Sequence, residues 1–319
     1  MLTTVLFVLG FVFLIKGADY LVSGSSSIAK RFKISNIVIG LTIVAFGTSA
    51  PELIVNVISS LNGNAGLAVG NILGSNIANV FLILGAAAII FPLKVHKNTV
   101  WKEIPFSLLA SIVLFIAAND AIIDKFDYSI ISRSDGFMLL SFFVIFMYYT
   151  FLIARDHETG FEEEDIKKLP IFQSAIYVAF GMIGLFLGGQ WIVEGATFYA
   201  ELLGLSESVI GLTVVAIGTS LPELATSVVA AQNKQTDIAI GNVVGSNIFN
   251  ILWILGLSSL ILPIPFQSTN NGDLGMVIFA TALLFLFLFV GQKRHIDRWQ
   301  GGVFLAIYLI YTLVLIFTS

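Results

Sequence analysis

Gly40-Leu-Thr-Ile-Val-Ala-Phe-Gly-Thr-Ser-Ala-Pro-Glu52 returns 171 residues later as Gly211-Leu-Thr-Val-Val-Ala-Ile-Gly-Thr-Ser-Leu-Pro-Glu223, with ten of thirteen positions identical. A second pair keeps the same offset: Gly70-Asn-Ile-Leu-Gly-Ser-Asn-Ile-Ala-Asn79 and Gly241-Asn-Val-Val-Gly-Ser-Asn-Ile-Phe-Asn250. The chain is an internal duplication. Each copy sets a proline, a glutamate and several hydroxyl and amide side chains inside a long apolar run, a costly placement in a membrane that marks a site.

The surrounding composition defines the solvent. Of 319 residues, 57% are hydrophobic and only 11% charged, and the mean hydropathy is +0.95, whereas an ordinary globular domain is about 25% charged. Apolar runs long enough to cross roughly 30 Å of hydrocarbon recur throughout, which favours an all-α integral membrane protein over a barrel of short alternating strands. There are no cysteines, which excludes disulfides and thiolate metal sites. The first run has no basic flank before it and is too long for a cleavable signal, so it is expected to stay as a membrane helix.

Ten transmembrane helices are expected, at 3–29, 36–61, 66–91, 103–119, 136–154, 171–203, 208–231, 237–262, 273–290 and 301–317. Residues 1–154 form the first five-helix repeat, 155–170 a cytoplasmic linker, and 171–319 the second repeat. Five is odd, so the second copy enters from the opposite side and the repeats are inverted. The basic residues test this count, because cytoplasmic loops collect Lys and Arg. With both termini outside, thirteen of the sixteen fall in inward loops: Lys30, Arg31, Lys33, Lys94, Lys97, Lys102, Arg155, Lys167, Lys168, Lys234, Lys293, Arg294 and Arg298. The acidic run Glu162 to Asp165 reads as solvated linker, and Asp120, Asp124, Asp127 and Asp135 as a wet outward loop.

Pro51 and Pro222 lack an N–H and clash with the carbonyl four residues back, so the second and seventh spans are expected to break near Gly47 and Gly218. Carbonyls around Ala45 to Thr48 and Ala216 to Thr219 would lose helical partners and could face a cation. Glu52 and Glu223 follow the breaks, and an inverted repeat brings them together near mid-membrane. With no Lys or Arg in either motif they would repel, and require a cation or protons between them. Carboxylates, carbonyls and hydroxyls are hard donors suited to Ca²⁺ or Na⁺. Ser75 and Asn79 share a helix face, as do Ser246 and Asn250, and Asn71 and Asn242 extend it by a turn. Gly70, Gly74, Gly241 and Gly245 are read as packing residues that let helices approach. Lys16 and Asp19 are expected to pair locally, and Glu194 and Glu201, which lack symmetry mates, to be interfacial or locally bonded.

Taken together, the two G-T-S-x-P-E and two G-N-x-x-G-S-N-I-x-N segments resemble the paired α-repeats of the Ca²⁺/cation antiporter superfamily, in particular its prokaryotic sodium/calcium exchangers. The resemblance covers essentially all ten spans. It implies that Glu52 and Glu223 ligate Ca²⁺ with the carbonyls of Thr48 and Thr219. It implies Na⁺ sites from Ala45, Thr48, Ser49, Glu52 and Ser75 on one side and Ala216, Thr219, Ser220, Glu223 and Ser246 on the other, with Asn79 and Asn250 at the centre. It further implies a secondary antiporter in the plasma membrane, not an enzyme, extruding Ca²⁺ against about three Na⁺ as the first and sixth spans slide across a fixed core. Some relatives and the potassium-dependent exchangers carry Asp where this chain has Asn250, which leans against K⁺ co-transport. A Ca²⁺/H⁺ antiporter on the same fold is the alternative, though symmetric hydroxyl and carbonyl donors are superfluous for protons. A membrane hydrolase lacks its motifs here: there is no H-E-x-x-H, G-x-S-x-G or cysteine nucleophile. No cofactor, nucleic acid or obligate protein partner is implied; the partners are the lipid bilayer and the transported ions.

Overall fold

The computed structural model describes residues 2–62, 65–155, 169–202 and 216–318. Eight helices among them are long and apolar enough to span a membrane, and a ninth candidate is a bent pair. In chain order the helices are α1 (Leu2–Phe32), α2 (Asn36–Ile39), α3 (Ala45–Thr48), α4 (Ala50–Leu61), α5 (Ala65–Ala78), α6 (Gly85–Ile90), α7 (Ile104–Ala117), α8 (Asp120–Ile123), α9 (Arg133–Arg155) and α10 (Ile171–Leu202). They continue as α11 (Ala216–Thr219), α12 (Leu221–Gln232), α13 (Thr236–Ile248), α14 (Gly256–Ile261), α15 (Asn270–Phe287) and α16 (Arg298–Thr318). The start of the expected seventh span and most of the 155–170 linker, with its acidic run, lie outside the described residues. Observed helix ends fall within a turn of the expected ones. Lys102, assigned to a loop, instead sits in a π-helical first turn (Thr99–Glu103) that leads into α7.

The centre is built from two continuous spans that run through wide π turns. One joins α5 to α6 through Asn79–Leu84, the other α13 to α14 through Phe249–Leu255. They are 78% and 94% buried over their apolar windows, against 33% for α1 and 28% for α10, so they form the core and the long helices its lipid-facing rim. At 31 and 32 residues, α1 and α10 measure about 46 and about 48 Å, well over the hydrocarbon thickness, and must tilt.

The helices α1 and α10 pack backbone against backbone. Glycines recur every seven residues in each, at Gly10, Gly17 and Gly24 and at the repeat-related Gly181, Gly188 and Gly195. A Cβ on Gly17 would lie 2.7 Å from the Leu185 nitrogen, one on Gly181 2.6 Å from the Leu21 nitrogen, and one on Gly188 2.6 Å from the Leu14 nitrogen. Small residues at helix crossings permit this approach where no hydrophobic force drives helices together.

The duplication also shapes the ends of the bundle. Strand β1 (Leu93–Lys94) pairs antiparallel with β4 (His295–Ile296), and β3 (Ile264–Phe266) with β2 (Ser129–Ile131). Leu93 and Ile264 are related by the offset of 171, so the strand after α6 pairs with the loop before α16 and the strand after α14 with the loop before α9. Two similar latches tie the turn before α7 to α9 and α15 to α16: Tyr149 donates to Glu103 Oε1, and Tyr311 to Asp273 Oδ1 at 2.7 Å. In the acidic loop, Asp120 Oδ2 accepts from the Ile130 N–H (2.9 Å) and Asp135 Oδ2 from Ser132 N–H and hydroxyl (2.8 and 2.6 Å), so two of the four carboxylates cap local structure.

Two of the four G-x-x-x-G glycines are in close contact among the described residues: a Cβ on Gly241 would meet the Ile37 carbonyl at 2.8 Å and one on Gly245 the Ala45 Cβ at 2.7 Å. Gly241→Ala is therefore expected to lower the melting temperature in detergent, by overpacking worth about 1–3 kcal/mol.

Candidate functional site

Both helix breaks fall two residues beyond the glycines. The axes of Asn36–Thr48 and Ala50–Leu61 differ by 47°, and the hinge is Ser49 (φ −82, ψ 7). Ser220 (φ −88, ψ 3) occupies the matching place between α11 and α12. Pro51 and Pro222 then stand in the first turn of a new helix, where a missing N–H costs nothing. The expectation that the Ala45 carbonyl is orphaned is not met: it accepts from the Ser49 N–H at 3.0 Å and has the Thr48 hydroxyl at 3.3 Å. The carbonyl that Pro51 deprives is that of Gly47.

Ser49-x-Pro-Glu52 and Ser220-x-Pro-Glu223 have the form of a capping box, in which the serine hydroxyl would bond its own helix's N–H groups. Neither serine does so. Ser49 Oγ donates instead to Glu223 Oε1 of the other repeat, at 3.0 Å. Ser220 Oγ donates to Ser75 Oγ at 3.3 Å, and Ser75 Oγ to Glu52 Oε1 at 3.4 Å. Each glutamate is thus tied to a residue three positions before the other, and both are fully buried. Among the described residues the second oxygen of each, Oε2, is buried with no hydrogen-bond partner, and so is Ser246 Oγ. The residue set is symmetric, but its wiring is not.

Thr48 ends α3 and Thr219 ends α11. Thr48 Oγ1 lies 2.9 Å from Asn242 Oδ1 and 3.3 Å from the Ala45 carbonyl; Asn242 Nδ2 donates to Ser227 Oγ (3.0 Å) and to the Glu223 carbonyl (3.3 Å). Thr48, Asn242 and Ser227 are all 0% exposed. On the related side Thr219 Oγ1 donates to Asn71 Oδ1 at 3.3 Å, which repeats the Thr48–Asn242 bond, and Asn71 Nδ2 has no partner among the described residues. Ala45 and Ala216 open α3 and α11.

The centre holds a group that the motif reading did not assign. Asn79 Nδ2 donates to Asn247 Oδ1 and Asn250 Nδ2 to Asn76 Oδ1, both at 2.9 Å. Asn76 and Asn247 also donate to one another's carbonyls, at 3.3 and 3.5 Å. This twofold amide clasp joins the two core spans, and it leaves Asn79 Oδ1 and Asn250 Oδ1 buried and unpartnered. Asn79 and Asn250 sit where the π turns begin, and such turns recur at functional sites. The signal is present in sequence as the first asparagine of each G-S-N-I-x-N, about one helical turn before the second.

With this geometry in place, comparison with known proteins is decisive. The sodium/calcium exchanger protein family profile matches residues 2–152 and 173–317, nearly the whole chain. The chain belongs to the sodium/calcium exchanger family. The putative antiporter CaxA of Alkalimonas amylolytica is 38% identical over 326 residues, covering 99% of both chains. The sodium/calcium exchanger MaX1 of Methanosarcina acetivorans is 33% identical over 350 residues and 97% of each. A solved structure of the sodium-calcium exchanger NCX_Mj, soaked with Na⁺ and Sr²⁺, superposes with a TM-score of 0.82 at 38% identity and 97% coverage of each chain.

The other charged residues of this exchanger family member's spans stand apart from the centre. Lys16 is exposed, Asp19 half-buried, and no ion pair joins them, contrary to the local pair expected from spacing. An exposed lysine can extend its stem toward the interface instead. Exposed Glu194 accepts from Gln190 Nε2 at 2.8 Å, a local bond as expected; the side chain of Glu201 lies outside the described residues.

Asn247→Ala removes the acceptor that holds Asn79, leaving a buried amide unpaired at a cost of about 1–3 kcal/mol. The expected outcome is a lower melting temperature together with weaker Ca²⁺ binding by calorimetry. An unaltered Ca²⁺ affinity would make the clasp purely structural.

Proposed function

We propose that this chain is a secondary antiporter that carries Ca²⁺ out of the cell in exchange for Na⁺. The observation that supports this most directly is the pair of buried glutamates, each with one oxygen held by serine and one without a partner, on spans that break beside them. A buried carboxylate oxygen with nothing to accept from is stable when it faces a cation, and two carboxylates balance one Ca²⁺.

In this reading Glu52 and Glu223 bind Ca²⁺ through Oε2, with the carbonyls of Thr48 and Thr219. The same atoms with Ala45, Ser49 and Ser75, and with Ala216, Ser220 and Ser246, hold Na⁺, so that the two cargoes exclude each other, as exchange requires. Asn79 and Asn250 offer neutral oxygens at the centre. A stoichiometry of about three Na⁺ per Ca²⁺ moves one net charge per cycle and makes transport sensitive to membrane potential, at about 2.3 kcal/mol per charge per 100 mV.

Residues 1–154 and 171–319 act as inverted five-helix repeats, with both termini outside, the 155–170 linker cytoplasmic and the protein in the plasma membrane. The family profile's two matched stretches, the symmetric strand pairs and the thirteen inward basic residues support this arrangement. Gly70 and Asn71 then lie toward the outside, and Gly241 and Asn242 toward the cytoplasm. The glycine-paired α1 and α10 slide over the core to alternate access between the two.

The test is ⁴⁵Ca²⁺ uptake into proteoliposomes loaded with Na⁺, K⁺ or a proton gradient alone. Uptake is expected with internal Na⁺ and no K⁺, accelerated by an inside-positive current shunt, and reduced to background in Glu223→Gln. Uptake that needs only a pH gradient would make the protein a Ca²⁺/H⁺ antiporter, and uptake that needs K⁺ would place it with the potassium-dependent exchangers.

A further inference from the structure

We propose that the cleft between the first turn of α7 and the loop after α15 binds the headgroup of an anionic phospholipid. A cavity of about 340 Å³ opens there. Lys97, Lys293 and Arg294 rim it, and Trp101, Leu288 and Phe289 line it, with no carboxylate among the described lining residues. All three cations are exposed, and among the described residues none forms an ion pair with an Asp or Glu.

The cleft's backbone is firmly held. The Arg294 N–H donates to the Leu288 carbonyl (2.9 Å) and the Arg294 carbonyl accepts from Val95 N–H (2.8 Å), which continues the β1–β4 ladder. Gly291 (φ 79) and Arg294 (φ 60) both adopt left-handed conformations, turning the loop back over the end of α15. Arg294 tolerates that strain because the ladder fixes it. Three positive charges are thus gathered on a rigid turn and on the facing residue Lys97, where like-charge repulsion would otherwise spread them.

The occupant's class follows from what lies beside the charges. Trp101 packs edge-on against Phe285 (5.8 Å) and Phe289 (5.5 Å), and Phe285 against Phe289 (5.1 Å). Trp101 is 57% exposed and Phe289 47%, so this aromatic wall faces lipid rather than protein. Tryptophan at a helix end marks the level of the headgroups. A phosphodiester at the cationic rim would lay its acyl chains along that wall, whereas a free soluble anion would use the rim alone. Basic pockets between spans at the membrane surface suit anionic headgroups for this reason.

Native mass spectrometry of the full chain, released from detergent with dioleoyl phosphatidylglycerol or phosphatidylcholine, tests the assignment, with melting temperature measured alongside in each lipid and in inorganic phosphate. The expected result is a phosphatidylglycerol adduct and a raised melting temperature, neither given by phosphatidylcholine or phosphate. The triple variant Lys97→Gln, Lys293→Gln, Arg294→Gln should reduce the adduct at least fivefold, and Lys293→Gln alone should reduce it partially should the triple fail to fold. Equal stabilisation by phosphate would overturn the lipid assignment in favour of a simple anion site. Undiminished adducts in the variants would place the lipid elsewhere.

Discussion

Two carboxylates sharing one buried cluster inside a membrane repel each other and forfeit their hydration, and only a positive charge between them relieves both penalties. Much of the chain's architecture can be understood from that constraint. The glutamates must be deep, so they lie in spans; their neighbours must offer oxygen, so those spans break; and the break must be tolerated, so it is enclosed by the two most buried spans of the bundle. Ser49 and Ser220 express the arrangement most plainly. Each occupies the position from which a serine would cap its own helix, and each turns away, toward a carboxylate of the other repeat or the serine that holds one.

Duplication supplies the parts in pairs. The amide clasp of Asn76, Asn79, Asn247 and Asn250 is twofold to within the hydrogen-bond lengths, as befits a fixed core. The approaches to it repeat one pairing, Thr48 donating to Asn242 and Thr219 to Asn71. Gly241 and Gly245 are closed over by residues 37–45; the residues related to α2 by the offset of 171 lie outside the described ones.

The sequence was informative where cost concentrates the signal. A glutamate after a proline in an apolar run is expensive enough that its repetition at a fixed offset singles out the buried cluster, and the lengths of the apolar runs place nearly every described helix end. It was silent where the signal is geometric. Nothing in the residues from Asn79 to Leu84 distinguishes a π turn from an α-helix, because both bury the same apolar side chains. Asn76 and Asn247 carry no signal beyond that of their motif partners, and the Tyr149 and Tyr311 latches carry none because α9 and α16 share no register with each other. The glycine seven-residue spacing in α1 and α10 was legible but reads equally as ordinary membrane packing. The local Lys16 and Asp19 pair failed because helix spacing only permits such a contact and does not enforce it.

Calorimetric titration of Ca²⁺ into the detergent-solubilised protein without Na⁺, compared among wild type, Glu52→Gln, Glu223→Gln and the double variant, measures whether both glutamates hold one ion. Shared ligation predicts one site per chain, a loss of about 100-fold or more in affinity from either single substitution, and little further loss from combining them, since breaking a buried charge pair from either side costs about 3–5 kcal/mol. Wild-type affinity in either single variant, or two sites lost independently, would contradict a single Ca²⁺ held between the repeats.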